Sequence, residues 1–277
     1  MGPIEPAPSI PINVFYDTAN VSTEAETQIN RAVSFWQSAL RDPVTISFDA
    51  TFANLGGTTI GTMAPAQHVA PYNEVRDLMI ADAGPNELIV RQLPTRIQLD
   101  TSENNSRDNI QMTQANALAL GYQQSDFVTQ NSIFGTGPIH GTMTFRNGLD
   151  LVPDQLYLVA LHEIGHALGF ISNVGNGAAP LTTLDLFRLA PGQGSADFTN
   201  GQRAMTVGTE QVFYDGGLFD PTGIPIAGLT QGDIPLSRGG NNPPPGLFQA
   251  SHWRDDDLIN GIQLGIMDPS YEPDAQV

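Results

Sequence analysis

The sequence contains no cysteine. Disulfides, thiolate nucleophiles and cysteine-ligated metals are therefore excluded. Lysine is missing too: all eleven basic residues are arginine, against 29 acidic ones, and the formal net charge is −18. So acidic a chain repels nucleic acid and anionic membrane surfaces, which argues against both as partners. The acidity itself reads as solubility, as calcium sites or as a salty habitat. No apolar run approaches the roughly 18 residues of a membrane span. The opening MGPIEPAPSIP has neither the basic start nor the apolar stretch of a signal peptide. It reads as the proline-rich beginning of a mature domain behind an added Met-Gly, with a targeting segment already removed.

What remains is ample for a core. The 277 residues, 40% of them hydrophobic, suit one large domain or two subdomains. Ile12 to Tyr16 is a β-prone run. Thr23 and Glu26 have capping-box spacing, and Ala25, Ile29, Val33, Trp36 and Leu40 mark one buried helical face that Pro43 ends. Val44 to Phe52 alternates like a half-buried strand, and Thr58 to Ala64 continues the sheet after a Gly56-Gly57 turn. Residues 72–82 and 109–120 read as helices, and Gly141 to Arg146 as a strand. A further helix runs from about Asp154 to Leu168, with Leu156, Ala160, Ile164 and Ala167 facing the core. After Gly169 the texture changes: 171–250 is rich in Gly, Pro, Asn and Thr, and NNPPPG at 241–246 is a loop.

That last helix carries the pattern HEIGHALGF. His162 and His166 are four residues apart, so their side chains point within about 40° of each other, one turn apart. Two imidazoles so placed can take one Zn²⁺. Glu163, angled away from direct coordination, then sits where it can accept a proton from a metal-activated water that attacks a carbonyl. This is the HExxH logic of metallopeptidases. The bland reading is a pair of surface histidines on an amphipathic helix. A catalytic zinc usually has three protein ligands, and His68, His140 and His252 are the remaining histidines.

HEIGHALGF resembles the zinc helix of the metzincin clan, whose glycine turns the chain toward a third ligand. In most metzincins that ligand lies three residues past the glycine. Here that position is Ser172, a poor zinc ligand. The leishmanolysin-like branch instead inserts a long segment before a third histidine in a Ser-His element, followed by a methionine in a tight turn. This chain has Ala250-Ser251-His252-Trp253 and then Gly265-Ile266-Met267-Asp268-Pro269. It also resembles uncharacterised bacterial secreted metalloproteases that combine HEIGHALGF, a DLFR segment (Asp185 to Arg188 here), ASHW and IMDP. The specific motifs cover about 160–270.

The resemblance implies an α+β, metzincin-like fold: a twisted mixed sheet with backing helices above the zinc cleft, and a mostly irregular lower subdomain. Residues 1–11 are then a Pro-rich lead. Residues 12–170 form the sheet-and-helix subdomain ending in the zinc helix, and 171–277 the irregular one with third ligand and Met-turn. It implies a secreted, monomeric zinc endopeptidase acting on protein or peptide, with His162, His166 and His252 as ligands, Glu163 as general base and Met267 as the Met-turn residue. Extended substrate would pair with an edge strand of the sheet. Tyr271 is a candidate transition-state contact, although its spacing from Met267 departs from the family's. Asp185, in a Thr-x-Asp arrangement, is a rival third ligand, and Glu210 a weaker one. Asp255-Asp256-Asp257 is a candidate Ca²⁺ turn without EF-hand spacing. A different class of reading is an extracellular binding or adhesion module that keeps the metal only as structure.

Overall fold

The chain enters on β1 (Ile12–Tyr16) and passes through α1 (Thr23–Ala39) into β2 (Ile46–Ala53). The structure is a computed structural model. It describes residues 10–40, 42–85, 87–100, 106–148, 153–214, 216, 233–239, 249–254 and 266–267. The start of α1 lies one residue earlier than the sequence pattern suggests. Ser22, not Thr23, is the N-cap, and its hydroxyl accepts the Ala25 N–H at 3.2 Å. Two hydroxyl residues stand side by side here, and the one preceding the helix takes the free donor. Glu24 and Glu26 in the first turn favour the positive end of the helix dipole. Ala25, Ile29, Ala32 and Val33 are buried. Trp36 is half-buried, and its indole N–H reaches the Leu161 carbonyl at 3.1 Å.

Next come β3 (Gly61–Pro65), β4 (Gln67–Pro71), α2 (Tyr72–Asp82), β5 (Ser106–Thr113) and α3 (Gln114–Ala119). The expected helix over 109–120 is therefore only half a helix. Ile110 and Met112 are buried while Gln111 between them is less so, the period of two of a strand. Thr113 then accepts the Asn116 N–H at 3.1 Å and begins α3. Beyond lie β6 (Gly141–Arg146) and α4 (Pro153–Ala167), as the patterning predicts.

Contacts gather the chain into two units: residues up to Gln67 with Thr113–Leu168, and His68–Met112 with everything from Gly169 on. The first unit holds a four-stranded sheet in the order β1-β2-β6-β3. β1, β2 and β6 run parallel, and β3 is an antiparallel edge. α1 is the crossover that parallel neighbours β1 and β2 require. It packs on α4, which in turn packs on β3 and β6. Leu156, Ala160, Ile164 and Ala167 of α4 are all buried, as expected, and Val159 and Leu161 with them.

The second unit is less irregular than its composition suggests. β7 (Pro180–Thr182) joins a sheet in the order β7-β5-β4. A two-residue strand, Arg188–Leu189, pairs with β8 (Gln211–Tyr214), which pairs with β9 (Asp233–Leu236). The molecule is thus α+β with open mixed sheets. Among the described residues no helix is long and apolar enough to cross a membrane. The proline-rich lead before Ile10 and the loop at 241–246 lie outside the described residues.

Candidate metal centre

His162, Glu163 and His166 sit on the last turns of α4. The spacing of four brings the two Nε2 atoms to 3.1 Å, with ring centroids 4.7 Å apart and the planes nearly perpendicular at 83°. Two neutral imidazoles can face each other this closely only by sharing a proton or a cation. Zinc–nitrogen bonds of about 2.0–2.1 Å in tetrahedral geometry separate two ligand nitrogens by roughly 3.3 Å, so the helix already holds the pair near that spacing. Immediately after it, Gly169 takes φ 125°, a backbone state almost reserved for glycine, and the chain turns away.

His252 lies in the turn 249–254. Its Nδ1 is 3.1 Å from the Gln249 carbonyl. A carbonyl only accepts, so Nδ1 is the donor in this contact, and in the neutral ring Nε2 is then the nitrogen that bears the lone pair. His162, His166 and His252 each offer a nitrogen, and these atoms all lie within 4.8 Å of one another. It is a group able to hold a metal ion, with three half-buried imidazoles and no fourth protein ligand among the described residues. Borderline-soft nitrogen donors of this kind fit zinc. Met267 is buried, and its carbonyl accepts the N–H of Trp253, the neighbour of His252, at 2.9 Å.

Glu163 is 6% exposed. Burial pushes its carboxyl up to about 8, opposed by a hydrogen bond from the Met63 N–H of edge strand β3. A dication beside it would favour the carboxylate again. Gly61, at the start of β3, is what lets α4 approach: a Cβ there would lie 2.6 Å from Val159 Cγ1 and 2.9 Å from Glu163 Oε1.

The rival ligands are engaged elsewhere. Both Asp185 oxygens are taken: Oδ1 by the Ser172 hydroxyl at 2.6 Å and Arg188 Nε at 3.3 Å, Oδ2 by the Asn173 and Thr182 N–H groups at 3.1 and 3.0 Å. Glu210 bridges Arg238 and Arg254. His140 is buried and spends both ring nitrogens, on the Ser47 N–H at 2.9 Å and on Gln124 at 2.8 Å. His68 is half-buried on β4 and outside the histidine group. Tyr271 and Asp255-Asp256-Asp257 lie outside the described residues.

Sequence reasoning missed Gly61 and Met63, whose signal was no more than a glycine inside a strand pattern. Arg188 and Ser251 lie within the DLFR and ASHW motifs, whose local pattern carries no sign of what these two side chains hold. In comparisons with models of known families, with curated proteins and with solved structures, the chain matches none.

Proposed function

We propose that this chain is a secreted zinc-dependent endopeptidase of the metzincin type, closest in plan to the leishmanolysin-like branch. The observation that carries the reading is the three-histidine group with a buried carboxylate one residue from the first of them. Catalytic zinc sites take three protein ligands and leave a position open, whereas structural sites close with four. With Asp185 and Glu210 engaged elsewhere, three is the count the described residues support. This favours an enzyme over a binding module that keeps metal only as structure.

In this reading His162, His166 and His252 hold the ion, and Met267 underlies the turn that carries His252. Zinc, when bound, supplies Lewis acidity and makes water more acidic. Glu163 takes the proton of the attacking water and returns it to the leaving amine. Its orientation is set by the Met63 N–H and by close contact with Gly61. β3 is the edge strand that an extended peptide would join, because its Gly61 and Met63 lie against Glu163. Secretion rests on the family resemblance. The test is digestion of a casein-type substrate by the purified chain, followed by chelation and addition of zinc. The expected result is loss and then recovery of cleavage; cleavage untouched by chelator would overturn the reading.

A further inference from the structure

His252 does not stand on a helix. The other two ligands inherit their geometry from the hydrogen-bond ladder of α4, but a ligand on an irregular turn must be fixed by other means. Asp185 and Arg188 are both fully buried and paired, Nε to Oδ1 at 3.3 Å. A buried ion pair is poor evidence for stability, since apolar residues of similar size often serve as well, and its best use is to specify position.

The bonds around Arg188 show which position. Its Nη2 donates to the Ala250 carbonyl at 2.8 Å, two residues before His252. Its Nη1 lies 3.4 Å from the Ser237 carbonyl, and the Ser237 N–H donates to the His252 carbonyl at 3.0 Å. Asp185 fixes the other side. It binds the Ser172 hydroxyl, and the Ser172 N–H donates to the Ser251 hydroxyl at 3.0 Å. The planar guanidinium therefore grips the turn both directly and through Ser237, with Asp185 setting its plane.

We propose that the Asp185–Arg188 pair is the positioning device for the third metal ligand, holding the turn 249–254 in its metal-ready form before any ion arrives. This rests on the reading of His252 as a ligand. Neither residue belongs to the histidine group. Their effect is on where His252 Nε2 is held, and it requires the fork of an arginine rather than its charge alone.

The experiment is a zinc titration of the full chain against a chromophoric chelator, for wild type, Arg188→Lys, His252→Ala and the double variant. Lysine keeps a charge beside Asp185 but cannot bond Ala250 and Ser237 together. Arg188→Lys is expected to fold, by circular dichroism of the metal-free protein, and to bind zinc at least about tenfold more weakly, the usual size of an outer-shell effect. In the His252→Ala background it should have no further effect. Unchanged affinity in folded Arg188→Lys, or an equal loss with His252 already removed, would overturn the proposal. Wild type that binds no zinc, or His252→Ala that binds it normally, would instead overturn the reading of the centre itself. Hydrogen exchange in metal-free wild type needs no variant: the Trp253 and Arg254 N–H groups, bonded to Met267 and Pro235, should be protected. Exchange there at open-chain rates would contradict a pre-formed turn.

Discussion

Gly61 and Glu163 are so close that a single methyl group would separate them: a Cβ on Gly61 would stand 2.9 Å from Oε1 and 3.2 Å from Cγ of the glutamate. The first residue of the edge strand is thus what seats the carboxylate. Gly61→Ala should push Glu163 and Val159 away from β3 while leaving the histidines on their helix. A displacement of about 1 Å at a reacting group can cost roughly a hundredfold in rate. We expect kcat to fall by that order with zinc content near one per chain. Normal kcat in Gly61→Ala would show that the contact is not a constraint.

Glu163→Gln separates chemistry from ligation. The amide can still accept the Met63 N–H, and no ligand is lost, so zinc content and melting temperature should stay close to wild type. Turnover should drop by about 10²- to 10⁴-fold, the usual contribution of general-base assistance. Wild-type turnover in this variant would assign Glu163 another task.

Gly169 follows the end of α4 with φ 125°, where a side chain is strained. Gly169→Ala should destabilise the fold by about 1–3 kcal/mol. Thermal denaturation at fixed metal content reads this directly, and an unchanged melting temperature would mean that the turn relaxes freely.

His140 gives a pH dependence independent of the metal. Burial holds its value below the ordinary histidine range, and its Nδ1 must stay unprotonated to accept the Ser47 N–H. As pH falls below about 6.5 the unfolded chain binds the proton first, so this group lowers stability progressively toward acid and contributes nothing above that range. Melting temperatures between about pH 7 and pH 5 should fall more steeply for wild type than for His140→Gln. Parallel curves would contradict this.

These cases show where sequence is readable. α4 and its histidine pair are legible because ligand spacing and helical periodicity are both local. The N-cap of α1 slips by one residue because Ser22 and Thr23 offer the same chemistry, and only the backbone decides between them. The segment 109–120 misleads because a strand and a short helix abut at Thr113 with no glycine or proline to mark the seam. The place of His252 in the histidine group is signalled in the sequence only by the motifs ASHW and IMDP. The grip of Arg188 on Ala250 was not legible, since nothing in either local pattern tells that two such distant segments share a hydrogen bond.

Zinc K-edge X-ray absorption on the purified, active protein tests the central claim most directly, because it counts and identifies the ligands. The account predicts one zinc per chain with three imidazole nitrogens at about 2.0–2.1 Å and one further light-atom ligand replaceable by solvent or inhibitor. A spectrum requiring only two imidazoles, or four protein ligands in a closed shell, would contradict it.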